Sequence, residues 1–196
     1  LPGKNVLFAF ALSAGHRETD RVVSIDLKKI TIGQLPGAAS NKQLIEQIFQ
    51  GTKCKVVYEP NMEDYLLCHA AFVMPAAFAC YKTDGNLKKL RGDTAYLNRL
   101  LDANIEGYRA IRNAGHTILP KEDADFEGEK YRRICLRFFK LMCATSLGKL
   151  CASDHAMNAI DEMSALNRDL KRFYDENGAA YPVWKELEAE VGRYLQ

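Results

Sequence analysis

A chain of 196 residues that is 47% apolar and 27% charged has the length for one domain, or one and a fraction, and enough apolar side chains for an ordinary core, which excludes wholesale disorder. A formal net charge of +2 gives no reason to invoke nucleic acid or an anionic membrane, which leaves small molecules and other protein surfaces as partners. Six cysteines form no Cys-x-x-Cys pair, and no N-x-S/T sequon or signal peptide is present, so a reducing cytoplasmic setting is expected.

The chain opens Leu1-Pro-Gly without an initiator Met and reads as a fragment entered partway through a larger protein. Residues 5–14, 21–25 and 29–33 alternate or run apolar between turn residues and are expected to be three short strands. Alone they are a marginal unit, and they look like the trailing edge of a sheet whose main body lies elsewhere. After the punctuation of Leu35-Pro-Gly-Ala-Ala-Ser40, Asn41 is placed to cap a short helix over 42–50, with Leu44, Ile45, Ile48 and Phe49 on one face. Residues 53–58 read as a strand closed by Pro60.

From there on the regular structure is expected to be helical. Residues 61–81 hold one side chain that titrates near neutrality in the run Tyr65 to Tyr81, His69, and one helix breaker, Pro75. A helix apolar all round is normally the buried axis of an all-helical domain, and the run falls short of the ~20 residues that span a bilayer. Further helices are expected over 93–113, 129–144 and 154–177, and a last one opens at Pro182. In the 129–144 helix, Tyr131, Ile134, Cys135, Phe138, Phe139, Leu141 and Met142 are assigned to the core side, against a basic face of Lys130, Arg133, Arg137 and Lys140.

Nucleotide-binding glycine loops, H-E-x-x-H and G-x-S-x-G are all missing from the sequence. The best chemical stripe is His155, Asn158 and Glu162, spaced i, i+3, i+7 so that one helix would point all three the same way. Together they can grip a polar ligand or position a proton donor, or they can form a plain polar face. His69 needs a partner if buried and is the second candidate. A metal set of His69, His155 and Glu162 lacks any short-range ligand spacing, so no metal is assigned. Asp154 is read as a helix cap, and His16 and His116 receive no role.

Three stretches carry a family resemblance. Leu7-Phe-Ala-Phe-Ala-Leu-Ser-Ala-Gly-His-Arg-Glu18, with Arg21–Ile25 and Thr31–Gly33, looks like a closing strand set. Asn61-Met-Glu-Asp-Tyr-Leu-Leu-Cys-His-Ala-Ala71 looks like the start of a first long helix. Asp154 through Gly178-Ala-Ala-Tyr-Pro182 looks like a penultimate helix with a G-x-x-x-P exit. The order resembles the C-terminal part of the ketopantoate reductase (2-dehydropantoate 2-reductase) family. The resemblance implies a mainly α fold, an all-helical domain like the C-terminal domain of 6-phosphogluconate dehydrogenase, preceded by a small antiparallel β piece. It implies residues 1–38 as terminal strands of a truncated nucleotide-binding domain and 39–196 as a helical substrate and dimerisation domain.

In such enzymes NADPH gives hydride to a 2-keto acid, helped by a lysine on the first long helix and a glutamate on the penultimate one. Counted back from Gly178, Glu162 stands where the glutamate belongs. Leu67 stands where the lysine would be, and Ala71 where an asparagine is expected one turn later. The resemblance therefore implies an NADP-dependent oxidoreductase in the longer protein, with substrate contacts from Glu162, Asn158, His155 and His69. Its own N-terminal nucleotide-binding domain and a second copy would be its protein partners, and the 196-residue piece alone would be inactive and bind no NADP. The alternative is a non-catalytic helical binding or dimerisation module that has lost the lysine.

Overall fold

A computed structural model of the chain describes residues 7–35 and 40–195. Strand β1 (Phe8–Arg17) and strand β2 (Val22–Gly33) pair antiparallel, from Phe8 opposite Gly33 to Arg17 opposite Val22. The break expected between two strands at 26–28 is instead a bulge within β2. Ala11 pairs with Ile30 but Ser13 with Asp26, so β2 carries extra residues there. Lys28 takes up the excess at φ +49, with its N–H on the Asp26 carboxylate.

Helix α1 (Lys42–Phe49) then carries the chain to strand β3 (Lys55–Glu59), which joins β2 in parallel. The sheet, ordered β1-β2-β3, is mixed rather than purely antiparallel. A parallel neighbour needs a crossover, and α1 supplies it. The proposed domain boundary at 38/39 lies outside the described residues, yet β3 beyond it belongs to the same sheet as β1 and β2. Of the α1 face, Ile45 is buried, while Leu44 and Ile48 are exposed.

Helix α2 (Met62–Lys82) is the axis of the fold, continuous through Pro75. Asn61 caps it by accepting from the Asp64 N–H, and Gly85, at φ +79, closes it with a hydrogen bond to the Cys80 carbonyl. By length and composition α2 could cross a membrane, but most of it is buried inside the protein. Around it pack α3 (Thr94–Asn113), capped by Asp93, α4 (Glu129–Ala144), α5 (Asp154–Asn158), α6 (Ile160–Glu176) and α7 (Pro182–Glu190).

The deep core is aromatic. Trp184 is wholly buried, edge-on to Phe78 and Tyr174, and its indole N–H donates to Asn167. Gly107 lets α3 approach α2: a Cβ there would stand 3.2 Å from the Ala71 Cβ and 2.7 Å from the Tyr174 hydroxyl. The Glu106 carboxylate, also on α3, accepts the Val183 and Trp184 N–H groups and so caps α7 from outside its own sequence. The fold is mainly helical with a small sheet, as expected.

Two helical expectations change. Helix α4 turns Ile134, Phe138 and Leu141 outward, whereas Tyr131, Cys135, Phe139 and Met142 face the core as expected. The helix expected over 154–177 is broken at Ala159, whose φ of −123 and ψ of 41 leave the helical region. Before the break, helical turns run from Ser146 through a π segment at 149–153 into α5. The Tyr81 hydroxyl donates to the Ala156 carbonyl at this irregular stretch.

Candidate functional site

The place where chemistry-bearing side chains gather is the seam between β1 and the helical body. Alternation along β1 sends the even-numbered residues Phe10 and His16 toward the helices. Phe10 meets the α2 face of Tyr65 and His69, its ring centroid 4.1 Å from the His69 ring. Tyr65 lies parallel to the same imidazole at 6.4 Å. The π segment and α5 press against the other end of β1.

At that end His16 is the hub. Its Nδ1 lies 2.7 Å from an Asp154 oxygen and its Nε2 3.4 Å from Glu18. Lys149 reaches Asp154 at 3.3 Å, and Arg21 also holds Glu18. Asp154 is therefore not a cap: it lies within a continuous helical path, and its carboxylate ties α5 to β1. The imidazole thus bridges two carboxylates, with Asp154 fixing the ring at Nδ1 and Glu18 facing Nε2. Sequence reasoning missed this set because its members lie 138 residues apart along the chain. Only the polar ends of β1 and α5 hinted at it.

His69 is half-buried among Phe10 and Tyr65, and burial pushes its pKa down to about 4, so it is neutral at pH 7. No hydrogen bond to its ring is present among the described residues, so the specific partner expected for it is not found there. His155 and Asn158 are exposed on α5, and the Asn158 amide donates back to the Asp154 carbonyl at 2.6 Å. Glu162 is exposed in the first turn of α6, beyond the Ala159 break. The i, i+3, i+7 geometry assumed one unbroken helix, and the break removes that basis. No hydrogen bond or ion pair links any two of His69, His155, Asn158 and Glu162 among the described residues.

Leu67 and Ala71 belong to the opposite side of α2. At ~100° per residue Leu67 shares a stripe with Ala71, Met74 and Phe78, all three fully buried. Leu67 packs half-buried at the start of that stripe. An apolar side chain at 67 thus has a packing reason, and the side of α2 that meets β1 is held by Tyr65 and His69.

His116 also gains a role. Its Nδ1 sits 2.7 Å from the buried Asp64 carboxylate, which further accepts the Thr117 N–H and the Asn61 amide. Burial alone would raise the Asp64 pKa, but these bonds outweigh it and hold the carboxyl below its usual range. With every oxygen engaged, this group locks the start of α2 to the loop after α3. Among the described residues no cluster of three His, Cys, Asp or Glu side chains could hold a metal ion.

The chain is similar over its whole length to a 2-dehydropantoate 2-reductase of Staphylococcus aureus, with a TM-score of 0.73 and 12% identity, covering 63% of that chain. It is likewise similar to a dimeric ketopantoate reductase of Staphylococcus aureus, with a TM-score of 0.70 and 12% identity, covering 64% of that chain. A D-mandelate dehydrogenase solved with NADH is matched over 94% of this chain and 70% of that one, at 11% identity and a TM-score of 0.62. The chain thus spans less than two thirds of the two reductases. No family model matches the sequence, and no curated protein sequence matches it. The fold agrees with the family resemblance read from the sequence.

Proposed function

We propose that this chain is the helical part, with the closing strands, of a longer NADP-dependent oxidoreductase acting on a keto or hydroxy group of a small molecule. Residues 39–196 hold the substrate and dimerisation side of a cleft, and residues 1–38 carry closing strands of the nucleotide-binding domain, in a sheet that β3 at Lys55–Glu59 continues past that boundary. The carrying observation is that the whole chain superposes on roughly two thirds of two ketopantoate reductases. Glu162, Asn158, His155 and His69 are the substrate-side candidates; NADP binds the N-terminal domain, and the protein works in the cytoplasm as a homodimer.

The test uses the longer protein. Glu162→Gln should raise KM for a 2-keto acid about tenfold or more, with NADPH affinity unchanged. The 196-residue chain alone should neither bind NADPH nor turn over, and reductase activity from it would overturn the assignment of the cofactor site.

A second reading, a non-catalytic helical module, has one observation in its favour: Leu67 and Ala71 lie in the core stripe of α2 with Met74 and Phe78, apolar side chains that can neither donate nor accept a proton. Unchanged substrate kinetics in Glu162→Gln, His69→Leu and His155→Ala of the longer protein would favour it.

A further inference from the structure

From the outer face of α4 we infer a docking surface for an acidic amphipathic helix of a partner protein. This inference is independent of the oxidoreductase reading. Ile134, Phe138 and Leu141 are 53%, 40% and 50% exposed, a large apolar outlay for three neighbours on one helix. Helical advance places them in one arc of ~60°, and Lys130, Arg133, Arg137 and Lys140 in an adjoining arc of ~80°. On the other side of the apolar strip lies the protein body, where Phe72 of α2 packs 6.1 Å from the Phe138 ring and widens the apolar surface.

None of the four cations forms an ion pair or side-chain hydrogen bond among the described residues, although Arg132, on the inner edge of the same helix, is paired with Asp102. Glu129 is the one carboxylate on α4. The segment Leu87–Leu90 packs against α4. The surface thus offers apolar anchors at i, i+4 and i+7 beside an unneutralised basic edge.

Charge decides the occupant. A second copy seated α4 on α4 would bring Arg133, Arg137 and Lys140 of both helices together, with only Glu129 to offset them. A flat anionic bilayer would meet cations on one side of the strip and the protein body on the other. A helix with apolar residues toward Ile134, Phe138 and Leu141, and carboxylates toward the cations, satisfies both halves of the surface.

The probe is an end-blocked peptide of about 18 residues, helical, with Leu at i, i+4, i+7 and i+11 and Glu on the flanking face; its twin carries Lys in place of Glu. Fluorescence anisotropy should show the acidic peptide binding the 196-residue chain more tightly than the twin, and less tightly as salt rises. R133E/R137E/K140E and, separately, I134S/L141S should each weaken binding by roughly tenfold or more. All five positions are exposed, and circular dichroism checks that each variant folds; Arg137→Glu and Leu141→Ser alone serve if a multiple variant does not. Equal binding of the two peptides, or no binding of either, overturns the inference. Recruitment to phosphatidylserine vesicles without peptide binding, or self-association abolished by the same variants, overturns it in favour of a membrane or a second copy.

Discussion

His69 combines a titratable ring with aromatic surroundings and no hydrogen-bond partner among the described residues, so its protonation is linked to folding. Its pKa is depressed from 6.5 to about 4 by burial, so the unfolded chain binds more protons than the folded one between those values. Stability from this residue is complete above pH 6.5 and is lost as the pH falls toward 4, by at most roughly 3 kcal/mol. Urea unfolding at pH 7 and pH 5 should show this slope in the native chain, and His69→Leu should flatten it. Gly107 carries a different constraint. Its missing side chain lets Ala71 and Tyr174 close on α3, so Gly107→Ala should destabilise by about 1–3 kcal/mol through overpacking, read as a lower midpoint in urea.

Among the elements, α7 depends on a neighbour for its start. Pro182 leaves one donor fewer to satisfy, and the Glu106 carboxylate accepts the next two N–H groups. Burial raises the Glu106 pKa, with the two backbone bonds opposing it. Glu106→Ala should cost about 1–3 kcal/mol, because two partly buried donors lose their partner, and thermal unfolding measures it. The break at Ala159 belongs to the same scale. Nothing in the composition of 154–177 announces it, since alanine is a strong helix former. It arises where the turns from 146–158, held to β1 by Asp154 and to α2 by Tyr81, meet α6, held by Met163 and Leu170.

In the whole molecule, the sheet is the lightly attached part. Exposed Val22 and Leu27 on β2, with Leu44 and Ile48 on the crossover helix α1, show how little of this part the helical body covers. Its ties to the body include the Phe10 contact with His69 and the cluster of His16, Asp154 and Lys149. His16→Ala should therefore raise amide hydrogen exchange in β1 and β2 while leaving α2, α3 and α7 protected. Loss of protection throughout the helical body as well would show that sheet and body unfold as one unit. The exposed apolar residues of the sheet and α1 suit burial against the nucleotide-binding domain proposed for the longer protein.

Residue order by itself determined the helical class, the central place of α2 and most helix ends, because those follow from local causes. A run without charges must be buried, Asn61 and Asp93 can cap the helices that follow them, and Gly85, Gly115 and Gly178 adopt the positive φ that ends a helix. It also read the three stretches whose order matches the observed fold. Only the tertiary structure decided what each face meets. Periodicity marked Ile134, Phe138 and Leu141 as core, yet α4 is rotated so that Cys135, Phe139 and Met142 fill the interior first. A lone histidine on α2 could have faced anything, and β1 gives it Phe10. Asp154 and His16 meet across 138 residues through a pairing that no local pattern encodes. Helix-forming tendencies act within a few residues, whereas the candidate site lies where distant elements touch.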